Sequence, residues 1–239
     1  CSSDLSVVDN YHGTPVSDPY RWLEDDNSSE TKVWVEAQNK ISFGYLDQIP
    51  FRKAVRNRLE KLMNFAKYGT PFKEGGKYYY FKNDGLQNQS VLYVTEDPEK
   101  EGKVLIDPNT LSKDGTVSLG SMDFSADGKF LGYFLNAGGS DWSKAFVMDL
   151  NTGKTTVDTL DWIKFSGISW KGDGFYYSRY PAPKGGSALS GKNEFHALYY
   201  HKLGTPQAED PLIYVDSKNG QRNVYGQTTE DEKYLVIST

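Results

Sequence analysis

Ser125-Ala126-Asp127-Gly128-Lys129 runs straight into Phe130-Leu131-Gly132-Tyr133-Phe134, a polar turn feeding an aromatic strand. The same arrangement occurs three more times. Lys73-Glu74-Gly75-Gly76-Lys77 leads into Tyr78-Tyr79-Tyr80-Phe81, and Lys171-Gly172-Asp173-Gly174 leads into Phe175-Tyr176-Tyr177-Ser178. Thr229-Glu230-Asp231-Glu232-Lys233 leads into Tyr234-Leu235-Val236-Ile237. Each turn is rich in residues that tolerate φ > 0, and each strand in residues that suit a pleated surface. Three of the units continue into a further strand: Val91-Leu92-Tyr93-Val94, Ala145-Phe146-Val147-Met148-Asp149-Leu150 and Ala197-Leu198-Tyr199-Tyr200.

Successive turns lie some 45 to 58 residues apart, slightly more than the ~40–50 residues of a four-stranded propeller blade. No helical pattern separates these strands, which excludes a parallel α/β sheet from about Tyr68 onward. The expected fold is mainly β: a partial β-propeller over residues 67–239, about three blades and part of a fourth. Tyr234-Leu235-Val236-Ile237-Ser238-Thr239 reads as a strand without a following turn, so further blades are expected beyond it.

Residues 1–66 read as helical. Asp18-Pro19 precedes a short amphipathic turn, Tyr20-Arg21-Trp22-Leu23, and Asn27 stands three residues before Glu30 as a helix cap. Trp34, Ala37, Ile41 and Tyr45 then recur at helical spacing. After Pro50, a second helix places Phe51, Val55, Leu59 and Leu62 inward. Arg52, Lys53, Arg56, Arg58, Glu60 and Lys61 form its solvated face.

Composition removes several classes of function. The 239 residues carry a net charge of -5 without a dense Lys/Arg run, so nucleic acid is not an expected partner. No stretch approaches the ~18 consecutive apolar residues of a membrane span. A single cysteine rules out an intrachain disulfide framework and a cysteine-rich zinc site. That cysteine is Cys1, in Cys1-Ser2-Ser3-Asp4, the form left when a bacterial lipoprotein signal is cleaved. The expected location is therefore periplasmic or lipid-anchored through Cys1, the alternative being cytoplasmic.

Catalytic motifs are missing. No G-x-S-x-G nucleophile elbow occurs; Gly138-Gly139-Ser140 and Gly185-Gly186-Ser187 lack the second glycine, and Gly138-Gly139 reads as a hairpin turn. His12, His196 and His201 do not have metal-ligand clustering, and the spacing of His196 and His201 puts them on opposite faces of a strand. No phosphate loop is present. No cofactor and no metal are expected.

Several ordered stretches resemble the prolyl oligopeptidase (prolyl endopeptidase) family. They begin with Tyr11-His12-Gly13, Asp18-Pro19-Tyr20-Arg21-Trp22-Leu23-Glu24-Asp25 and Val35-Glu36-Ala37-Gln38-Asn39-Lys40. Gly85-Leu86-Gln87-Asn88-Gln89, Asp107-Pro108-Asn109 and Gly139-Ser140-Asp141-Trp142 follow. Lys164-Phe165-Ser166 with Trp170, and Leu198-Tyr199-Tyr200-His201 with Leu203-Gly204-Thr205, complete the series. Oligopeptidase B shares the opening stretches and fewer of the later ones.

The resemblance implies a serine endopeptidase that cleaves short peptides after proline. In that family a seven-bladed propeller caps an α/β-hydrolase domain and restricts entry to oligopeptides. Residues 1–66 would be the helical segment that packs on the hydrolase domain, and 67–239 the first half of the propeller, about 3.5 blades. The Ser/Asp/His triad would lie beyond residue 239, leaving no catalytic residue here. The implied partners are proline-containing oligopeptides and the C-terminal hydrolase part of the same protein. By position, Phe165 matches an aromatic lining the pocket for the substrate residue two before the proline. Asp141 matches an acid that pairs with an arginine of the catalytic domain. No residue near Asn223-Val224 aligns cleanly with the family's pocket, and nothing is assigned around Tyr180-Pro181. The other class of reading is a non-catalytic β-propeller used for binding.

Overall fold

Each of the four polar turns joins two neighbouring strands of one antiparallel sheet. The computed structural model describes residues 7–183 and 191–239; Cys1 and Gly185-Gly186-Ser187 lie outside the described residues. At the first turn Gly75 and Gly76 adopt φ 54° and 81°, the left-handed pair of a two-residue hairpin. The second and fourth turns share one hydrogen-bond scheme. Ser125 Oγ donates to Asp127 Oδ1 (2.8 Å) and accepts from the Phe130 N–H (2.9 Å). Thr229 Oγ1 donates to Asp231 Oδ1 (2.7 Å) and accepts from the Tyr234 N–H (3.1 Å). A hydroxyl residue with Asp two places on thus satisfies the turn's own backbone, so the motif folds from local contacts.

The chain divides into two units: the described residues within Cys1–Leu59 and Pro183–Lys192, and those of Glu60–Ala182 and Asn193–Thr239.

In the second unit, sheet one contains β3 (Lys67–Tyr68), β4 (Phe72–Glu74), β5 (Lys77–Asn83), β6 (Val91–Thr95) and β7 (Lys103–Ile106). Both β3 and β4 pair with β5. Sheet two is β8 (Ser118–Phe124), β9 (Phe130–Asn136), β10 (Ser143–Asp149) and β11 (Lys154–Ile163). Sheet three is β12 (Ser169–Lys171), β13 (Gly174–Arg179), β14 (Ala197–Lys202) and β15 (Leu212–Val215). A two-stranded sheet follows, β16 (Tyr225–Thr228) with β17 (Leu235–Ser238). Sheets two and three are antiparallel meanders in chain order, and sheet one departs from that only in that β3 and β4 share the same edge of β5.

The sheets stack face to face through alternating strand residues. Leu131 and Tyr133 of β9 join Tyr79, Leu92, Ile106 and Met148 between sheets one and two. Phe134, Ala145, Val147 and Leu160 join Ile168, Trp170, Phe175 and Tyr177 between sheets two and three. Gly132 lets the third sheet approach, since a Cβ there would sit 2.9 Å from Ile168 Cδ1 and 3.3 Å from Trp170. The next interface is more polar: Ser169 and Thr228 hydroxyls bond at 2.8 Å, and Ser178 Oγ donates to the Val224 carbonyl at 2.7 Å. β4 of sheet one and the first strands of the other three sheets, through Glu74, Asp123, Ser169 and Gln227, line one cavity of about 720 Å³. Sheets that each give one strand to a shared channel are blades of a β-propeller.

The first unit departs from an all-helical reading. β1 (Val8–Tyr11) and β2 (Thr14–Ser17) form a hairpin whose two-residue turn has His12 at φ 54° and Gly13 at φ 95°. Asn10 Oδ1 accepts from the Gly13 N–H. Gly13 takes the second left-handed turn position without steric cost, and His12 occupies the first, where Asn, Asp or Gly is usual. Arg21 clamps this hairpin to the following 3₁₀ turn (Arg21–Glu24) by bonding Asp18 at 2.8 Å and also Asp9. Helix α1 spans Ser29–Leu46, and its cap is Ser28 rather than Asn27: Ser28 Oγ accepts the Thr31 N–H at 3.1 Å. Trp22 and Trp34 meet edge to face at 6.3 Å.

Helix α2 spans Arg52–Met63. The apolar stripes expected to point inward on these two helices are exposed, Ile41 at 68%, Tyr45 at 72%, and Phe51, Val55, Leu59 and Leu62 all at about half or more. Only Trp34 of those residues is half-buried. No helix among the described residues is long and apolar enough to cross a membrane.

Candidate functional site

Two loops of the propeller unit converge on one cation. The first, between β9 and β10, turns at Gly138-Gly139 (φ 63° and 72°) and presents Asp141 and Trp142. The second leaves β11 at Trp162-Ile163-Lys164-Phe165. Ile163 is fully buried in the core and anchors it, whereas Trp162 and Phe165 adopt left-handed backbone, φ 61° and 52°. Bulky L-residues take that conformation at a cost on the order of 1–3 kcal/mol each, and such strain concentrates at sites where a side chain must be aimed.

Lys164 lies between these loops. Its Nζ is 3.6 Å from Asp141 Oδ2, 5.1 Å from the Trp142 ring centroid and 5.5 Å from that of Phe165. The two site residues expected from the sequence, Asp141 and Phe165, thus share one ammonium. Phe165 is 53% exposed and Asp141 70% exposed, while the Lys164 side chain is only 14% exposed.

Behind them is an aromatic row. Trp142 meets Trp162 edge-on at 5.6 Å and Tyr180 at 6.2 Å, and Tyr180 lies 4.7 Å from His196. His196 is buried; its Nε2 donates to the Lys164 carbonyl and its Nδ1 accepts the Val224 N–H, both at 2.9 Å. An accepting Nδ1 requires the neutral ring, in line with burial, which pulls the His196 pKa below its ordinary value against the two backbone bonds. Tyr180 Oη donates to Asn223 Oδ1 at 2.7 Å, and burial pushes its phenol pKa up. Trp142 and Trp162 also help line a largely apolar recess of about 700 Å³ with Leu111, Leu135 and Phe146.

Sequence reasoning did not assign Lys164, Trp142, Trp162, Tyr180 or His196 to the site. Asp141-Trp142 and Lys164-Phe165 are adjacent pairs within stretches that carry the family resemblance, which was the available signal for two of them. Tyr180, left unassigned from sequence, lies in this aromatic row, where Asn223 accepts from it and the Val224 N–H donates to His196. The left-handed backbone at Trp162 and Phe165 has no sequence signal, since neither is Gly, Asn or Asp.

Neither buried histidine has a ring nitrogen left to activate a nucleophile. His196 is committed to two backbone groups. His201 bonds Asp210 through Nδ1 and Asp158 through Nε2. These two histidines face different sheets: His196 reaches Val224 ahead of β16, and His201 reaches Asp158 of β11.

The family profile described as prolyl oligopeptidase, N-terminal beta-propeller domain, matches residues 2–239. A prolyl endopeptidase of Elizabethkingia miricola is 48% identical over 98% of this chain and 33% of its own length. Prolyl oligopeptidase A of Amanita bisporigera is 35% identical over 94% of this chain and 33% of its own. Among solved structures, one from a structural and mechanistic analysis of two prolyl endopeptidases superposes with a TM-score of 0.84 at 31% identity. It covers 97% of this chain and 34% of that one. Prolyl oligopeptidase B from Galerina marginata, bound to a 35mer hydrolysis and macrocyclization substrate, superposes at 0.79 and 33% identity over 97% of this chain and 36% of that one. The chain spans about a third of the length of the curated relatives it matches. With three stacked blades, the opening of a fourth and a profile match from residue 2 to residue 239, the chain belongs to the prolyl oligopeptidase family, in the region of its N-terminal β-propeller domain.

Proposed function

We propose that this chain is the substrate-wall and access-limiting part of a serine endopeptidase that hydrolyses short peptides after proline. The observation that carries the reading is the meeting of Asp141 and Phe165 at Lys164. An exposed aromatic face on a strained, well-anchored loop and an exposed carboxylate on the neighbouring loop stand side by side. Phe165 supplies an apolar face for the residue two before the proline. Asp141 is placed to pair with a cation of the catalytic domain beside the bound peptide. The triad belongs to an α/β-hydrolase domain outside these residues. The exposed apolar stripes of α1 and α2, around Ile41, Tyr45, Phe51 and Leu59, suit a face that this domain covers. The propeller admits oligopeptides and excludes folded proteins. Residues 1–66 go with the catalytic domain and 67–239 with the propeller.

Periplasmic placement with lipid attachment at Cys1 is part of the same proposal. Mass spectrometry of the N-terminal peptide of the natural protein tests it: a diacylglyceryl-cysteine supports it, and an unmodified Cys1 or an upstream extension overturns it.

The activity test uses the full-length protein with a Gly-Pro chromogenic peptide. Cleavage after proline is expected, with Phe165→Ala raising KM about tenfold for a peptide bearing a large apolar residue two before the proline. That factor corresponds to ~1.4 kcal/mol of lost apolar contact. A purified full-length protein that leaves such peptides intact overturns the reading in favour of a non-catalytic binding propeller.

A further inference from the structure

Lys164 is held at both ends. Its carbonyl accepts from His196 Nε2, whose other nitrogen accepts from the Val224 N–H, so the residue that leads into β14 and the approach to β16 fix the backbone. Its stem is covered, with the side chain 14% exposed, and its ammonium emerges against Asp141, Trp142 and Phe165. These three groups come from two loops more than twenty residues apart in the chain. An ammonium over two aromatic faces is attracted by both quadrupoles, and the adjoining carboxylate balances its charge.

The Phe165 backbone is left-handed, a conformation that persists only when its surroundings over-determine it. Lys164 supplies such determination twice, through the pinned carbonyl that begins the 164–165 peptide and through the cation–π contact with the ring.

We propose that Lys164 is a positioning residue for substrate selection: it sets the Phe165 ring and the Asp141 carboxylate in one fixed relation, so that the wall favours a large apolar side chain two residues before the scissile proline. This rests on the post-proline peptidase reading above. Lys164 touches no reacting atom; it acts through the two groups that face the peptide. Arginine keeps the charge and stacks on aromatic faces, so it retains most of the effect. Methionine keeps the stem's bulk and loses both interactions.

The test is made in the full-length protein with two matched peptides, one with Phe and one with Gly two residues before proline. Lys164→Met is expected to raise KM for the Phe peptide about 5- to 30-fold, the range two such cation–π contacts supply, with little change in kcat and little change for the Gly peptide. Lys164→Arg is expected to restore the preference to within about threefold. A Lys164→Met protein that loses the same factor on both peptides, or retains the Phe preference, overturns the inference, as does failure of Arg to restore it.

Phe165→Ala separates this from failure of the underlying reading. If Phe165→Ala abolishes the preference while Lys164→Met does not, the wall stands and the role of Lys164 falls. If Phe165→Ala leaves the preference intact, the wall reading itself falls, and the role of Lys164 with it. Should Lys164→Met fail to fold, Lys164→Gln is read by the same criteria.

Discussion

His201 Nδ1 lies 2.9 Å from Asp210 Oδ1, both side chains fully buried, while the opposite ring nitrogen lies 3.2 Å from Asp158 Oδ1. A carboxylate oxygen faces each ring nitrogen, an arrangement that favours an imidazole with a hydrogen on both. Burial pulls the His201 pKa down, but the bonds to Asp210 and Asp158 outweigh it and hold it above the ordinary value. Asp210 also accepts from Tyr177 Oη (2.8 Å), and Asp158 from Thr156 Oγ1 (2.6 Å) and the Gly204 N–H (2.5 Å). The cluster fastens β11 of sheet two to β14 of sheet three.

A raised histidine pKa gives stability that is full below the unfolded value, about 6.5, and lost as pH rises through the folded value. Thermal unfolding followed from pH 6 to pH 10 is expected to show a fall in Tm on the alkaline side that His201→Gln lacks. At pH 6 His201→Ala is expected to cost about 3–5 kcal/mol, because two buried carboxylates lose their shared cation. An alkaline fall of equal size in His201→Gln would assign it to other groups.

Asp123 is pushed up to about 6, chiefly by burial, with the charge of Glu74 adding to it. A carboxyl with a raised folded pKa opposes folding as pH climbs from about 4 through 6. Asp123→Asn is therefore expected to stabilise the protein at pH 7 by about 1 kcal/mol, after allowance for the group's partial solvation, and to have no such effect at pH 4. Urea unfolding at the two pH values measures the difference; equal effects at both would place the Asp123 pKa in the ordinary range.

Gly132→Ala puts a methyl group 2.9 Å from Ile168 Cδ1 and 3.3 Å from Trp170. Overpacking of this kind costs about 1–3 kcal/mol. The same change at Gly153, at φ 68° with open space around its Cβ, carries only backbone strain of roughly 1–2 kcal/mol. Denaturant midpoints compare them, and near-UV circular dichroism reports the Trp170 environment, which only Gly132→Ala is expected to disturb.

Ser28→Ala removes the acceptor for the Thr31 N–H and is expected to cost about 1 kcal/mol, with Asn27→Ala near neutral for the helix. Hydrogen exchange at the Thr31 amide gives the comparison directly, and the reverse order would reinstate Asn27 as the cap.

The blades were legible because their instructions are local. Ser125, Asp127 and Gly128 form a turn from their own side chains, and the alternating residues of Phe130–Phe134 state which faces are to be buried. The same logic made the 3₁₀ turn at Arg21–Glu24 and the two helices readable, though the competition between Asn27 and Ser28 for one cap is decided by a single residue of phase. The hairpin at Val8–Ser17 was missed because His12 is an unusual occupant of a left-handed turn position.

The sequence by itself determined the repeat, the turn chemistry and, through ordered stretches such as Gly139-Ser140-Asp141-Trp142, the family. Only the tertiary structure decided how Asp141, Trp142, Lys164 and Phe165 meet. Asp141 and Lys164 are brought together by the pairing of β10 with β11, in which Ser143 stands opposite Ile163. The conformations of Trp162 and Phe165 run against their intrinsic preference, and His196 acquires its role from Val224, 28 residues away. Local preference governs what a few neighbouring residues can satisfy among themselves; the relation of Lys164 to Asp141 and Phe165 is imposed by the register of β10 on β11 and by the hold of His196 on the Lys164 carbonyl.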